Sequence, residues 1–292
     1  MKRLILTILL LGAVGIGGLF AYQNRHEIQQ DVIGHDVPEA VTFEELEVVA
    51  DEVEELPIAD EDDEVVEVAE DEPVVIEDEA DDDVIDTEIL DLTDVGANAT
   101  KLASINLAIP FTSQAPHSNW DLPYQEACEE ASILMAVSFF DKELVNLSSA
   151  DSADEAILSV VEFETDKYDL YLDTTAAETK RFAEAMYPGY SFDLLSNPSV
   201  DDIKTALSNG SPVIVPAAGR ELGNPNFTGA GPLYHMLVVR GYTDSTFVTN
   251  DPGTRNGNGY VYKQKTIMDA MGDWNGGDPA NGAKVVIVVT KK

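Results

Sequence analysis

The chain has 292 residues and a formal net charge of −38 at pH 7. Thirty of its 55 acidic side chains fall in residues 27–100, which hold no Lys or Arg; residues 101–292 carry 25 acidic and 14 basic groups, a net −11. This balance argues against a nucleic-acid partner, because phosphate recognition needs clustered Lys and Arg, and the single cysteine excludes an intramolecular disulfide.

In chain order, Lys2 and Arg3 precede an uncharged run from Leu4 to Tyr22. Nineteen helical residues rise about 28 Å, close to the roughly 30 Å hydrocarbon core of a bilayer. Basic residues before the run and acidic ones after it place the N-terminus in the cytoplasm and the rest outside. Residues 1–3 are therefore expected as a cytoplasmic tip and 4–22 as a single-pass transmembrane anchor. The competing expectation is a signal peptide, cleaved to release a secreted protein. Its apolar core is normally shorter, and Phe20, Tyr22 and Gln23 make a poor cleavage context.

Residues 23–104 read as an acidic, low-complexity linker. Between 27 and 100 acids alternate with Val, Ile, Leu and Ala, and Phe43 is the one aromatic residue. Like charge at that density opposes packing, so the stretch is expected to be disordered and extended, without stable tertiary structure. It reads as a solvated spacer or stalk that holds the domain off the membrane, with a low-specificity calcium binder as the alternative. Its acids lack the spacing of a specific calcium loop, so no metal or cofactor is expected.

Residues 105–292 form the expected folded domain. Leu107 to Thr112 is a strand-like entry, followed by a polar loop over 112–127 that contains Trp120. Apolar residues at helical spacing predict helices over 128–140, 153–163, 174–187 and 200–207. Thr175 and Glu178 fit a capping box, and Asn209-Gly210 stops the fourth helix. Strands are predicted over 212–217, 234–242, 246–250, 259–262 and 284–290, with a short helix over 264–271. Helices first and strands later imply an α+β domain, its N-terminal helices packed on an antiparallel sheet.

Four residues of this domain point to thiol chemistry. Cys128 falls at the start of a helix, where exposed N–H groups favour a thiolate and can hold an oxyanion. His235 heads a strand with apolar residues behind it. Asp251 ends the next strand, where a hairpin would bring it beside His235 to orient the base. Asn250 is the alternative; successive strand residues face opposite ways, so only one of the two can serve. Gln114 is the candidate side-chain donor to an oxyanion and Gln125 the runner-up, while Trp120 is a candidate wall of the substrate site. The Gly/Asn/Pro-rich loop between Arg220 and Pro232 is placed to line a cleft. Glu129 and Glu130 follow the thiol directly. At least one is expected to point outward, since adjacent helix positions differ by about 100°.

Phe111 to Gln114, Ala127-Cys128, His235-x-Leu237-Val-Val-x-Gly241-Tyr242 and Asn250-Asp251-Pro252 together resemble the peptidase C39-like family, a bacterial group of papain-like cysteine peptidases. The resemblance covers about residues 105–290. It implies a papain-like fold with Cys128 as nucleophile, His235 as base, Asp251 as orienting group and Gln114 as oxyanion donor. Such families usually carry Gly-Pro after the cysteine, where this chain has Glu129-Glu130. The implied substrate is a peptide or protein, attacked at a peptide or isopeptide bond. The alternative is a surface module that keeps the cleft to bind peptides or cell-wall material, and an amidase or transpeptidase would use the same scaffold.

Overall fold

The computed structural model describes residues 37–46, 102–169 and 172–292. The domain is built on one antiparallel sheet. Its strands are β1 (Ile105–Asn106), β2 (Tyr190–Ser196), β3 (Val213–Ala218), β4 (Tyr234–Tyr242), β5 (Thr246–Asn250), β6 (Tyr260–Lys263) and β7 (Val285–Lys291). They run in the order β2-β7-β3-β4-β5-β6, with β1 on the end of β4. The helices are α1 (Cys128–Phe140), α2 (Ala150–Tyr168), α3 (Ala176–Met186), α4 (Val200–Ser208) and α5 (Gln264–Ala270). The expected α+β class and antiparallel sheet are thus observed.

Every residue of α1 is buried, because the helix lies between the sheet and α2. A helix apolar nearly all round suits that place. Its core contacts include Leu134, Phe139, Val215 and Leu237, all nearly or fully buried. β4 is likewise buried along its whole length. Gly241 sits at a bulge in β4, where β1 crosses: a Cβ there would stand 2.4 Å from the Ile105 carbonyl oxygen. Only glycine admits that approach.

Helix α1, β4 and β5 have the predicted bounds. α2 is longer than expected: Ser149 and Ser152 form a capping box at its start, and Asp169 ends it in the left-handed region at φ 56°. The Thr175–Glu178 capping box is present on α3. β2 is a strand that pattern reading passed over. It lies between two helices on the sheet edge, and its partner β7 is about a hundred residues later. The entry strand is only Ile105–Asn106; from Ala108 onward the chain leaves the sheet.

Two expectations concern the N-terminal third. The apolar run 4–22 lies outside the described residues, and among the described residues no helix is long and apolar enough to cross a membrane. The absence of tertiary structure expected over 27–100 is corrected for 37–46. Val41 bridges Leu107 in parallel, and Phe43 packs edge-on against Phe139 and Phe140. The physical reason is local: Val41, Phe43 and Leu46 supply apolar surface that the surrounding acidic sequence lacks.

Candidate active site

Cys128 opens α1 after a 3-10 turn over Tyr124–Glu126, and no side chain caps the helix among the described residues. The residue is 6% exposed. Sγ accepts the Met236 N–H at 3.3 Å, on the strand residue following His235. The start of the helix is therefore pressed against the head of β4.

His235 and Asp251 come together because β4 and β5 pair with Val238 opposite Asn250. One step further puts Asp251 on the face of β4 that His235 shares. His235 Nε2 and Asp251 Oδ1 are 2.8 Å apart, and both side chains are buried. Asp251 Oδ2 accepts from Tyr262 OH at 2.7 Å and Asn224 Nδ2 at 2.9 Å, and Oδ1 also takes the Gly253 N–H at 3.0 Å. Burial alone would raise the Asp251 carboxyl, but the His235 imidazole, the Tyr262 hydroxyl and the Asn224 amide outweigh it and hold the group below its usual range. Gly257 keeps the next loop tight, since a Cβ there would fall 1.8 Å from the Asp251 carbonyl oxygen. Phe227 covers the imidazole edge-on at 5.4 Å. With Nε2 held by the carboxylate, Nδ1 is the ring nitrogen left for proton transfer; it makes no hydrogen bond among the described residues.

The remaining expected residues fall differently. Gln114 is buried, but its Nε2 donates to the Tyr124 and Gln125 carbonyls, each at 2.9 Å. Both amide protons are spent on the turn before Cys128, so in this arrangement Gln114 holds that turn rather than offering a donor to an oxyanion. The opposite amide orientation would set its oxygen against two carbonyl oxygens. Gln125 Nε2 donates to Glu126 Oε1. Trp120 is 40% exposed, and no hydrogen bond or ring contact ties it to the cluster among the described residues. Asn250 faces away, donating to the Ile109 and Pro110 carbonyls and accepting from Arg240. That matches the alternation expected for the pair.

The acids after the thiol overturn an expectation. Neither points outward: Glu129 is 3% and Glu130 2% exposed. Glu129 Oε2 accepts the Cys128 thiol at 2.9 Å, and its Oε1 takes the Thr174 N–H at 3.0 Å. Helix geometry kept the two acids from sharing one face, yet α1 is enclosed on every side, so neither direction leads to solvent. Glu130 instead faces Glu164 of α2, whose carboxyl oxygens, with Glu130 Oε2, have no N–H or O–H donor among the described residues. Two such carboxyls are compatible only if they hold a proton between them. Burial first, then the Glu129 charge and hydrogen bond, raise the Cys128 thiol well above its usual range; the Met236 N–H opposes this. Burial and the neighbouring Glu130 raise Glu129 as well.

Sequence reading weighed Glu129 beside the thiol but missed Tyr262 as a member of the site. It placed Asn224 and Phe227 in a candidate cleft-lining loop without a role. Their signal would have been a polar or aromatic side chain at a loop or strand position facing the His–Asp pair, which only the fold defines.

An α+β domain with a cysteine at the start of a buried helix, facing a sheet that carries a His–Asp pair, has the architecture of a papain-like cysteine peptidase. The model of the Peptidase_C39 like family matches residues 106–276, more than half of the chain, and the chain belongs to that family. No curated protein matches this sequence. Among solved structures, one from Bacillus anthracis described by name as a C39-like peptidase is 14% identical, covering 65% of this chain and 98% of its own, with a TM-score of 0.43. A likeness that remote carries no argument about activity.

Proposed function

We propose that the chain is a membrane-anchored, extracytoplasmic cysteine peptidase that hydrolyses peptide or isopeptide bonds. The observation that supports this most is the buried His235–Asp251 pair at 2.8 Å, one residue from the N–H that Cys128 Sγ accepts. In this reading the thiol proton passes to His235 Nδ1 and the sulfur attacks the substrate carbonyl. The carbonyl electrons move onto oxygen, where N–H groups at the start of α1 receive the charge. Collapse breaks the C–N bond, and the imidazolium gives its proton to the leaving amine. Water, deprotonated by His235, then attacks the thioester and restores the thiol. Asp251 keeps the imidazole oriented and stabilises its cationic form. Gln114 positions the turn ahead of the nucleophile, and Trp120 offers an exposed aromatic face to substrate. The run 4–22 supplies the anchor, with the domain outside the cell.

A second reading is favoured by Glu129. A carboxyl that holds the thiol proton suits a module that binds peptides or cell-wall material without turning them over. Two measurements on the full chain decide between the readings: cleavage of peptide and isopeptide substrates, and the rate of Cys128 alkylation by iodoacetamide at neutral pH. The peptidase reading expects cleavage that disappears in Cys128→Ser. No cleavage, with alkylation slower than that of a free thiol peptide, would leave the binding module.

A further inference from the structure

The linker touches the domain twice, at one corner. Residues 37–46 lie on the free side of β1. Val41 N–H donates to the Asn106 carbonyl at 2.8 Å, and Ala108 N–H donates to the Val41 carbonyl at 2.7 Å. Asn106 Nδ2 adds a hydrogen bond to the Pro38 carbonyl at 3.1 Å. Thr42 and Glu45 then make a capping box: Glu45 N–H donates to Thr42 Oγ1, and Thr42 N–H to Glu45 Oε2. This starts a helical turn over 43–46. The turn aims Phe43 at Phe139 and Phe140, with ring centroids at 5.8 and 4.8 Å, and Lys291 Nζ lies 5.2 Å from the same ring. Leu46 packs beside Gly210, where an added Cβ would meet its Cδ1 at 3.0 Å. The chain rejoins the domain at the same place. The Leu102 carbonyl accepts from Tyr242 OH, which is also bonded to Ser208 Oγ, two residues before Gly210.

We propose that residues 37–46 are a clasp belonging to the domain, so that the acidic stretch 47–101 is a closed excursion with both ends at the α4 corner, not a stalk that carries the domain away from residue 22. The tether between residue 22 and the clasp is then residues 23–36. Fourteen residues span at most about 50 Å, against roughly 290 Å for the 82 residues of 23–104. The clasp lies outside the family match, and its docking does not depend on whether Cys128 is a nucleophile.

Loop closure gives the test. Deleting residues 51–97 leaves eight residues between Leu46 and Leu102 in place of 55. If the clasp is docked, the shorter loop makes closure easier, and the exchange protection of the Val41 and Ala108 amides should rise by about 20-fold. A Gly/Ser replacement of 51–97 at unchanged length separates this from the loss of charge and should leave protection within a few-fold. Phe43→Ala should lose protection at both amides while the β5 amides keep theirs, and Val41→Pro, read at Ala108, serves as a second variant. The proposal is overturned if Val41 exchanges in the full chain as fast as in a free peptide. It is equally overturned if shortening leaves protection unchanged, or if both variants keep it.

Discussion

At the residue scale, the site sets two opposed preferences around one sulfur. The Met236 N–H and the start of α1 favour negative charge on Sγ, while burial and Glu129 oppose it. Once Glu129 is ionised, its charge lies in hydrogen-bond contact with the thiol, and a contact of that kind is worth on the order of 1–3 kcal/mol in a partly wet site. Glu129→Gln is therefore expected to raise the iodoacetamide rate of Cys128 at pH 8 roughly tenfold or more, with the onset of reactivity moving to lower pH. An unchanged profile across pH 6–10 would show that burial alone restrains the thiol. Asp251→Asn removes the negative charge beside His235 and turns one of two acceptor oxygens into an amide NH2 that faces donors, since Tyr262 and Asn224 donate to Oδ2 and the Gly253 N–H to Oδ1. If the proposed peptidase activity is present, turnover should fall at least about a hundredfold with little change in substrate KM.

At the element scale, what positions the site is the register between strands. β3 sets Ala217 opposite His235, and β5 sets Asn250 opposite Val238. The bulge between Val239 and Gly241 shifts the far end of β4 without disturbing the His–Asp end. Arg240, at the bulge, is buried, and that burial lowers its guanidinium to about 10. It binds oxygens of Asn106, Ile109, Asn250 and Asn258, tying β1 to β5. Gly241→Ala would force the Ile105 carbonyl away and is expected to cost about 1–3 kcal/mol, with Asn106 and the clasp displaced together. Urea denaturation measures the loss; a variant as stable as the parent would mean that β1 moves freely on β4. Removing the Thr175 cap by Thr175→Ala should cost about 1 kcal/mol and leave the site unaffected.

At the scale of the whole molecule, buried carboxyls tie stability to pH. Burial, with Glu129 nearby, raises Glu164 to about 7, and burial with Glu126 raises Asp173 to about 6. Glu130, facing Glu164, is also raised, mainly by burial. In Asp173, and in the Glu130–Glu164 pair through its one shared proton, the folded state keeps a proton that the unfolded chain has released. Their contribution is thus fully present below the usual carboxylate range and is lost as pH rises above it, through about 6 for Asp173 and about 7 for Glu164. Asp251 acts in the opposite sense, and its contribution is lost only as pH falls below the carboxylate range. The domain should accordingly be more stable to urea at pH 5 than at pH 7.5, and Glu164→Gln should flatten the difference. Stability that rises from pH 5 to 7.5 would refute the shared-proton account of Glu130 and Glu164.

The sequence by itself determined what depends on neighbours along the chain. Helical periodicity marked α1, β-branched and aromatic runs marked β4 and β5, and the order of Cys128, His235 and Asp251 pointed to thiol chemistry. Strand alternation also separated Asp251 from Asn250. Only the tertiary structure decided what depends on distant partners. The acids after Cys128 turn inward because the sheet and α2 enclose α1 on every side. Gln114 spends its amide on the turn before the thiol because that turn presents two carbonyl oxygens. β2 is a strand because β7, far along the chain, supplies its hydrogen bonds. Residues 37–46 leave the acidic stretch because Phe43 has a seat built from Phe139 and Phe140 of α1 and Lys291 of β7, and no local pattern could announce that seat.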